Sequence, residues 1–586
     1  MPLSRDDLAD VLDEIALLLE LKGENSFKIR AYRNGAETVR QFDGDEDIVT
    51  LATNDQLKGI KGIGEALQQK LHELASTGTL KFHQNLRAEF PEGIFELFTI
   101  QGLGPKKVKA LYDKLGIDSI AKLKEAASDG RIVALPGFGK KSVEKLIEAV
   151  SLKEKFADFF RLGDVAPIAE NILEILRNHP DTLRASLAGS YRRGKEILHD
   201  LDFLVATAKP AELTQFFTTL PEVDSVIACG ETKAAIRLEN GLQCDLRAVS
   251  NTQFPFALQY FSGSKEHNVA LRSRALSHGW SLNEYELSAK SANSPTPPAI
   301  QEESDIYRAL KLQPIPAELR ENRGEIEAAN EGKLPKLIEL ENLRGTFHNH
   351  TTESDGKSTL EEMAEAAREL GLQYLGIADH SKGQFQANGL YPDRLIRQIE
   401  KIRQLNAQAT DGFYIFAGSE VDILKDGTMD FDDDVLSQLD YCVASIHNST
   451  QLNENEMTSR IISAMENPHV TMIGHLTGRL LLQRKSYALN VEKVIDCAAE
   501  TGTIIELNCN PRRLDMDWRH WHRARDKGVM TSINPDAHHT SHLQFLALGI
   551  RLARKGWLRR EDVLNTRTVQ EIKTWLNLPK GQKSFS

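Results

Sequence analysis

The chain has 586 residues, 41% of them hydrophobic and 27% charged, which is the composition of ordinary globular domains and excludes a disordered or fibrous chain. At ~150 residues per domain, about four domains are expected. The 72 basic and 84 acidic side chains leave a net charge of −12, which as a whole-chain average argues against a polyanionic partner.

Residues 1–50 hold 6 basic and 12 acidic residues and begin MPLSRDDLADVLDE. That start is acidic and lacks an apolar h-region, so no signal peptide is expected. No later run approaches the ~20 apolar residues of a membrane span. The five cysteines form no CxxC pair; buried thiols in a reducing cytoplasm are expected, without disulfides or a thiolate zinc site.

Through residue 150 the apolar spacing predicts helices broken by glycine. One pattern, h-x-G-h-G, recurs three times: Ile60–Gly64 with Gly62 and Gly64, Ile100–Gly104 with Gly102 and Gly104, and Leu135–Gly139 with Gly137 and Gly139. Each copy precedes a helical run. Such a turn leaves backbone N–H groups free at a helix start, where a phosphate oxygen fits and a Cβ would intrude. Lys106 and Lys107 follow the second copy, and Lys140 and Lys141 the third. Residues 101–150 hold 10 basic and 6 acidic residues, so the average charge conceals a local cationic surface. The repeat resembles the helix-hairpin-helix motif, which implies sequence-independent grip on a nucleic-acid backbone.

From about Ser151, five strand-like pieces (LRASLAGS, DLDFLVAT, VDSVIACG, KAAIRLE, LQCDLRAV) alternate with helical ones, an α+β pattern. Gly189-Ser190 precedes Asp200-Leu201-Asp202 by nine residues. Aspartates at i and i+2 of a strand share one face. With Asp245 on a later strand they form a trio able to hold two divalent ions for phosphoryl chemistry. Gly189 and Ser190 would open a phosphate cradle beside Arg193.

This spacing is similar to the nucleotidyltransferase signature of the X-family DNA polymerases, related to DNA polymerase beta. Tyr260-Phe261-Ser262-Gly263-Ser264, followed by Asn268, Arg272 and Asn283-Glu284-Tyr285, resembles that family's thumb-side motif. The resemblance implies Tyr260, Phe261 and Gly263 beside the incoming sugar and Asn268 at the nucleotide's minor-groove edge. It implies Arg272 at the templating strand, and Ser190 and Arg193 on the triphosphate. Lys265 replaces an acidic residue of the vertebrate enzyme and would add nucleotide affinity; Gln243 stands where that enzyme has arginine. Lys70 matches the family's Schiff-base lysine for 5′-deoxyribose phosphate removal and Lys28 a 5′-phosphate contact, although Ala66 replaces a lysine there.

Residues 316–341 are charged and bounded by proline, the texture of a linker. Beyond them, YLGIADH, FYIFAGSEVDI, YCVASIH, VTMIGH, TIIELN and MTSINPDAH alternate with helical runs, and 11 of the 17 histidines lie after residue 340. His348, His350, Asp355, His380, Glu420, His447, His475, Asp536 and His538 stand almost all at strand ends. In a parallel barrel those ends converge on one face. Imidazoles and carboxylates without thiolates favour Mn²⁺, Zn²⁺ or Fe²⁺, up to three ions, with Glu420 as a bridge. The order of these nine residues resembles the PHP family of phosphoesterases, a distorted seven-stranded barrel. Arg479, Arg512 and Arg513 are candidate phosphate contacts. His520, His522, His539 and His542 are read as surface or supporting residues.

The expected organisation is multidomain. Residues 1–80 form an N-terminal helical, lyase-like domain, and 81–151 a second helical domain with two helix-hairpin-helix motifs. Residues 152–252 form an α+β palm, 253–318 a small thumb and 319–341 a linker. Residues 342–575 form an α/β distorted (β/α)7 barrel, and 576–586 a basic tail. The two resemblances together imply an X-family polymerase joined to a PHP domain. Such a protein would fill short gaps in primer–template DNA from dNTPs with two Mg²⁺ or Mn²⁺ ions. It would also remove nucleotides 3′→5′, with abasic-site cutting or 3′-end cleaning as further expectations. A cytoplasmic monomer in base-excision repair is expected, without membrane contact. Two other readings stay open: an untemplated nucleotidyltransferase, and a polymerase whose PHP domain is only a scaffold.

Overall fold

A computed structural model describes residues 4–42, 46–100 and 102–583. Gln101, inside the second glycine repeat, and the last three residues of the tail lie outside it. The chain divides into two compact units, Met1–Ala157 and Asp158–Ser586.

The first unit is helical and has two cores. Leu8, Leu12 and Ile15 of the helix Arg5–Lys22 pack with Val39 and Leu71 in one core, and Ile94, Val108, Leu111 and Val143 form the other. Ser4 caps the first helix in a reciprocal box with Asp7, satisfying backbone donors that helix starts leave open. Part of the N-terminal acidity is consumed internally. Arg40 pairs with Asp10 and Asp13 at 2.5 and 2.6 Å, and Arg87 with Glu14 at 2.5 Å. The last helix continues to Lys155, so the break falls after residue 157, past the expected boundary at 151.

In the second unit the five predicted strands form one sheet in the spatial order Arg184–Leu187, Asp200–Ala206, Gln243–Val249, Lys233–Leu238, Val223–Cys229. Only the Asp200–Ala206 and Gln243–Val249 pair is parallel. Leu201, Phe203 and Val205 point into a core with Val165, Ile172 and Phe217, while Leu204 and Ala206 pack the other way against Phe254 and Leu258. Cys229 ends the edge strand and is exposed, against the expectation of five buried thiols; the other four are buried.

The thumb core joins Leu271, Trp280, Ile306 and Tyr307 to Leu319, Ile326, Ala329 and Leu337. Residues 319–341 are therefore not a linker. Their charged side chains disguise a packed segment in which Arg320 and Glu325 are buried against Glu303 and His267.

Seven strands follow in chain order, all parallel, from Gly345–Thr346 to Thr531–Asn534. Past the strand ends His350 N–H donates to Ala537 O at 2.8 Å, and Asn534 Oδ1 accepts the Phe347 amide at 3.1 Å. These bonds bring the first and last strands together in a nearly closed barrel. Phe347, Tyr374, Phe416 and Tyr441 fill its interior with ring centroids 5.1–5.5 Å apart. Trp575 and Ile572 pack at the strands' N-terminal end with Met472 and Ile504. The expected basic tail is part of this cap: Lys580 donates to the Asn467 and Val470 carbonyls at 2.7 and 2.8 Å. Among the described residues no helix is long and apolar enough to cross a membrane.

Candidate active sites

The three glycine turns share one backbone. Gly62, Gly102 and Gly137 have φ of +94°, +89° and +87°, a region that favours glycine. Gly64, Gly104 and Gly139 are extended N-cap residues with no side-chain cap, and a Cβ on any of them would meet open space. Lys106, Lys140 and Lys141 are exposed beside these helix starts. Lys107 instead donates to the Gly102 carbonyl at 2.9 Å and braces its own turn. Lys70 and Lys28 both face the Phe82 ring, at 5.1 and 5.9 Å, and Lys70 donates to Ala66 O at 3.2 Å.

On the sheet, Asp202 lies directly opposite Asp245 and Asp200 opposite Gln243, so pleating puts the three carboxylates on one face. Asp202 is pushed up to about 7, by burial first and then by the Asp200 and Asp245 charges. Asp200 is raised by burial and Asp245. Gln243 donates to Asp245 Oδ2 at 2.8 Å and Lys233 lies 3.3 Å from Oδ1. Crowded carboxylates of this kind suit a divalent cation, which would offset their repulsion. Gly189, at φ +56°, lets the turn approach so closely that a Cβ would lie 1.9 Å from Asp202 Oδ2.

The thumb-side residues form two groups. Arg193 Nε meets Glu321 Oε1 at 3.1 Å, its NH1 donates to Ser262 O, and a Cβ on Gly263 would lie 2.9 Å from it. Asn268 is held between Gln259 and the Tyr260 carbonyl at 2.8 and 2.7 Å, with Arg272 Nε on its own carbonyl at 3.3 Å. The Asn268 amide is thus engaged inward. Ser190 is half-buried on the turn helix Gly189–Arg192, Phe261 packs edge-on to Tyr260, and Lys265 is exposed at a helix start.

At the barrel's C-terminal end the nine predicted ligands converge. Glu420 Oε2 lies 2.9 Å from His380 Nδ1 and 3.4 Å from His348 Nε2, and Oε1 lies 2.9 Å from His475 and 3.3 Å from His447. Asp536 Oδ1 lies 3.3 Å from His350, and Asp355 Oδ1 lies 3.4 Å from His538. Three sets gather within 4.8 Å: His350, Asp355, His380 and His538; His348, His350 and Asp536; and His380, Glu420 and His447. His348 Nε2, both His350 nitrogens, His380 Nδ1 and His475 Nδ1 are buried without a hydrogen-bond partner. Buried polar atoms are normally satisfied, so these nitrogens fit cation ligands. His475 and Asp536 adopt φ of +25° and +53°, which costs about 1–3 kcal/mol each for non-glycine residues. Burial alone would raise the Glu420 carboxyl, but His447, His348 and His380 hold it well below the usual range. Burial and the neighbouring His538 and His380 charges press His350 down to about 3.

Two supporting carboxylates went unread in the sequence. Glu506 is fully buried, meets His348 Nδ1 at 2.7 Å and accepts the His475 amide at 2.7 Å. Asp422 meets His447 Nδ1 at 2.6 Å. Each orients a ligand ring through its second nitrogen. Asp422 stands two residues after Glu420, a same-strand spacing that signals a shared role; Glu506 sits inside the apolar run IIELN. Arg479 is not a phosphate contact: it is buried on Asp517, Glu196 and the Arg513 and Leu514 carbonyls. Arg513 stands at the site, 3.6 Å from Asp536, and Arg512 is exposed. His542 accepts the His538 amide, His522 stacks on Trp557, and His539 caps the helix that follows it.

Family descriptions match the chain in four places. They are a helix-hairpin-helix domain over 4–80, a SAM-like helix-hairpin-helix tandem over 94–151, the DNA polymerase beta thumb over 257–321 and a PHP domain over 346–510. The DNA polymerase/3'-5' exonuclease PolX of Bacillus subtilis (strain 168) is 38% identical over 98% of this chain and 99% of its own length. The chain belongs to the PolX family. Its PHP half alone is also similar to probable phosphatases. One from Thermoanaerobacter sp. is 30% identical over 40% of this chain and 94% of its own length; one from Caldanaerobacter subterraneus is 29% identical over 41% and 95%. Both carboxylate-rich sites thus lie within a PolX-family chain aligned along nearly its whole length.

Proposed function

We propose that this PolX-family chain is a DNA-directed DNA polymerase that fills short gaps and, with its PHP barrel, a 3′→5′ exonuclease. One observation supports the reading: the chain carries both the Asp200, Asp202 and Asp245 face of the sheet and the His/Asp/Glu groups of the barrel, with three glycine turns earlier in its sequence. In the polymerase reaction Asp200, Asp202 and Asp245 would hold two Mg²⁺ or Mn²⁺ ions. Ser190 and Arg193 would hold the dNTP triphosphate, with Tyr260, Phe261, Gly263, Lys265, Asn268 and Arg272 around the nucleotide and template. Gln243 and Lys233 fix the two oxygens of Asp245. The nine barrel residues would hold up to three Mn²⁺, Zn²⁺ or Fe²⁺ ions, Glu506 and Asp422 orienting the rings and Arg513 meeting substrate phosphate. Bound divalent ions supply nucleophile activation and neutralise charge on the leaving oxygen. Gly62, Gly64, Gly102, Gly104, Gly137 and Gly139 would meet the DNA backbone with the exposed lysines. The expected setting is a cytoplasmic monomer in base-excision repair.

The test uses the full chain on a gapped, 3′-labelled primer in Mn²⁺. Asp200→Ala or Asp245→Ala abolishes dNTP incorporation and leaves nucleotide release, and His348→Ala or Glu420→Ala does the reverse. No release by wild type with metal bound overturns the exonuclease half. Extension that ignores the template overturns the polymerase half in favour of untemplated transfer. A second reading, removal of 3′-terminal phosphate by the same barrel site, is favoured by the similarity of that half to probable phosphatases. A 3′-phosphorylated primer tests it.

A further inference from the structure

Ser190 and Arg193 stand on or just after the four-residue helix Gly189–Arg192. A single turn cannot stabilise itself, and its last carbonyls need donors. The PHP barrel supplies them. On the barrel helix Leu546–Lys555, Arg551 NH2 donates to the Tyr191 carbonyl at 2.5 Å, with its guanidinium 4.1 Å from the Tyr191 ring. Lys555, 1% exposed, donates to the Arg193 carbonyl at 2.9 Å, to Glu318 O at 3.3 Å and to Glu321 Oε1 at 2.7 Å. The same Glu321 oxygen accepts from Arg193 Nε, and its other oxygen meets Lys195 at 3.1 Å. Cations at a helix C-terminus are favourable, and a buried ammonium with three acceptors has one geometry. Gly194, at φ +66°, lies close to the barrel helix: a Cβ on it would stand 3.5 Å from the Arg551 carbonyl oxygen.

We infer that Arg551 and Lys555 of the PHP barrel are positioning residues for the polymerase site. They fix the Ser190–Arg193 turn, and through Glu321 the Arg193 guanidinium, in the place that receives the dNTP triphosphate. The inference rests on the reading of Ser190 and Arg193 as triphosphate contacts. It makes the barrel a part of the polymerase framework as well as the seat of a second reaction. Neither cation touches the nine barrel ligands in this arrangement, so its loss should separate the two activities.

The experiment is single-nucleotide incorporation and 3′-nucleotide release by full-length Lys555→Met, Arg551→Gln and Arg193→Ala. Lys555→Met and Arg551→Gln raise KM for dNTP about tenfold with kcat within about threefold, the signature of lost binding rather than lost chemistry. Nucleotide release stays within about twofold of wild type, and Lys555→Arg recovers part of the KM. If Lys555→Met fails to fold, the half-exposed Arg551→Gln carries the test. Unchanged KM in the barrel variants while Arg193→Ala raises it overturns the positioning role. Equal loss of both activities in Arg551→Gln does the same. Unchanged KM in Arg193→Ala overturns the underlying reading instead.

Discussion

Gly189→Ala isolates the contact on which the proposed polymerase site rests. The added methyl would lie 1.9 Å from Asp202 Oδ2 and 2.9 Å from its Cγ. Ordinary van der Waals contact requires the carboxylate or the turn to retreat by more than about 1 Å. The turn cannot yield freely, because Ala188 N–H is bonded to Asp202 O at 2.8 Å. Alanine at φ +56° adds about 1–2 kcal/mol of backbone cost. A misplacement of about 1 Å at a reacting group costs about 10²-fold in rate, equivalent to ~2.7 kcal/mol of barrier. Gly189→Ala should therefore lose about 10²-fold in kcat for single-nucleotide incorporation. Its melting temperature should fall by only a few degrees, and 3′-nucleotide release should be unchanged. Steady-state incorporation with release as internal control makes the measurement. Incorporation within threefold of wild type would falsify the claim that Gly189 sets the position of Asp202.

Glu506→Gln, which weakens the hold on the His348 ring, should lower nucleotide release about 10- to 100-fold with incorporation unchanged, read by both assays on one preparation. Asp202, pushed up to about 7, binds its proton more tightly folded than unfolded. The metal-free protein therefore loses stability as pH rises from about 4 to 7. Asp202→Asn should melt a few degrees above wild type in EDTA at pH 8 and show less gain at pH 5; a gain independent of pH would refute the assignment. Of five cysteines only Cys229 is exposed, so a thiol reagent should label one site rapidly in the native protein and five after denaturation. Replacing Lys106, Lys140 and Lys141 together by alanine should flatten the salt dependence of DNA binding by about 0.9 in log–log slope per lost phosphate contact. A parallel shift without a change of slope would remove these lysines from the DNA contact.

Where local chemistry dictates structure, the sequence was readable. Positive φ at Gly62, Gly102 and Gly137 follows from the repeat itself, and the shared face of Asp200 and Asp202 from strand pleating. The convergence of the barrel's His, Asp and Glu side chains was legible because a parallel strand delivers its C-terminal residue to a common rim. What stayed hidden depends on partners far away in the chain. Arg320 and Glu325 read as linker polarity because Glu303 and His267, which accompany them into the core, cannot be paired with them from sequence alone. Glu506 reads as a strand residue until the fold sets it against His348. Asn534, whose side chain accepts the Phe347 amide where the sheet nears closure, carries no local signal at all.

The charge distribution shows the same division between local and distant causes. Residues 101–150 and 551–586 both stand out as basic, with 10 against 6 and 9 against 3 charges. Only the first cluster keeps Lys106, Lys140 and Lys141 exposed at open helix starts. In the second, Arg554 is committed to Glu318 and Glu339, Lys555 to Glu321, Arg559 to Asp562, and Lys580 to two carbonyls. A cation already paired with a carboxylate neutralises little phosphate charge, so it releases few of a nucleic acid's condensed counterions and adds little to phosphate binding. In that cluster Arg554 and Lys555 therefore tie the barrel helix to Glu318, Glu321 and Glu339, while Arg559 and Lys580 are bonded within the C-terminal half itself. The net charge of −12 misleads about the partner for this reason: what matters is which cations remain exposed after folding, and Lys106, Lys140 and Lys141 beside the glycine turns are among them.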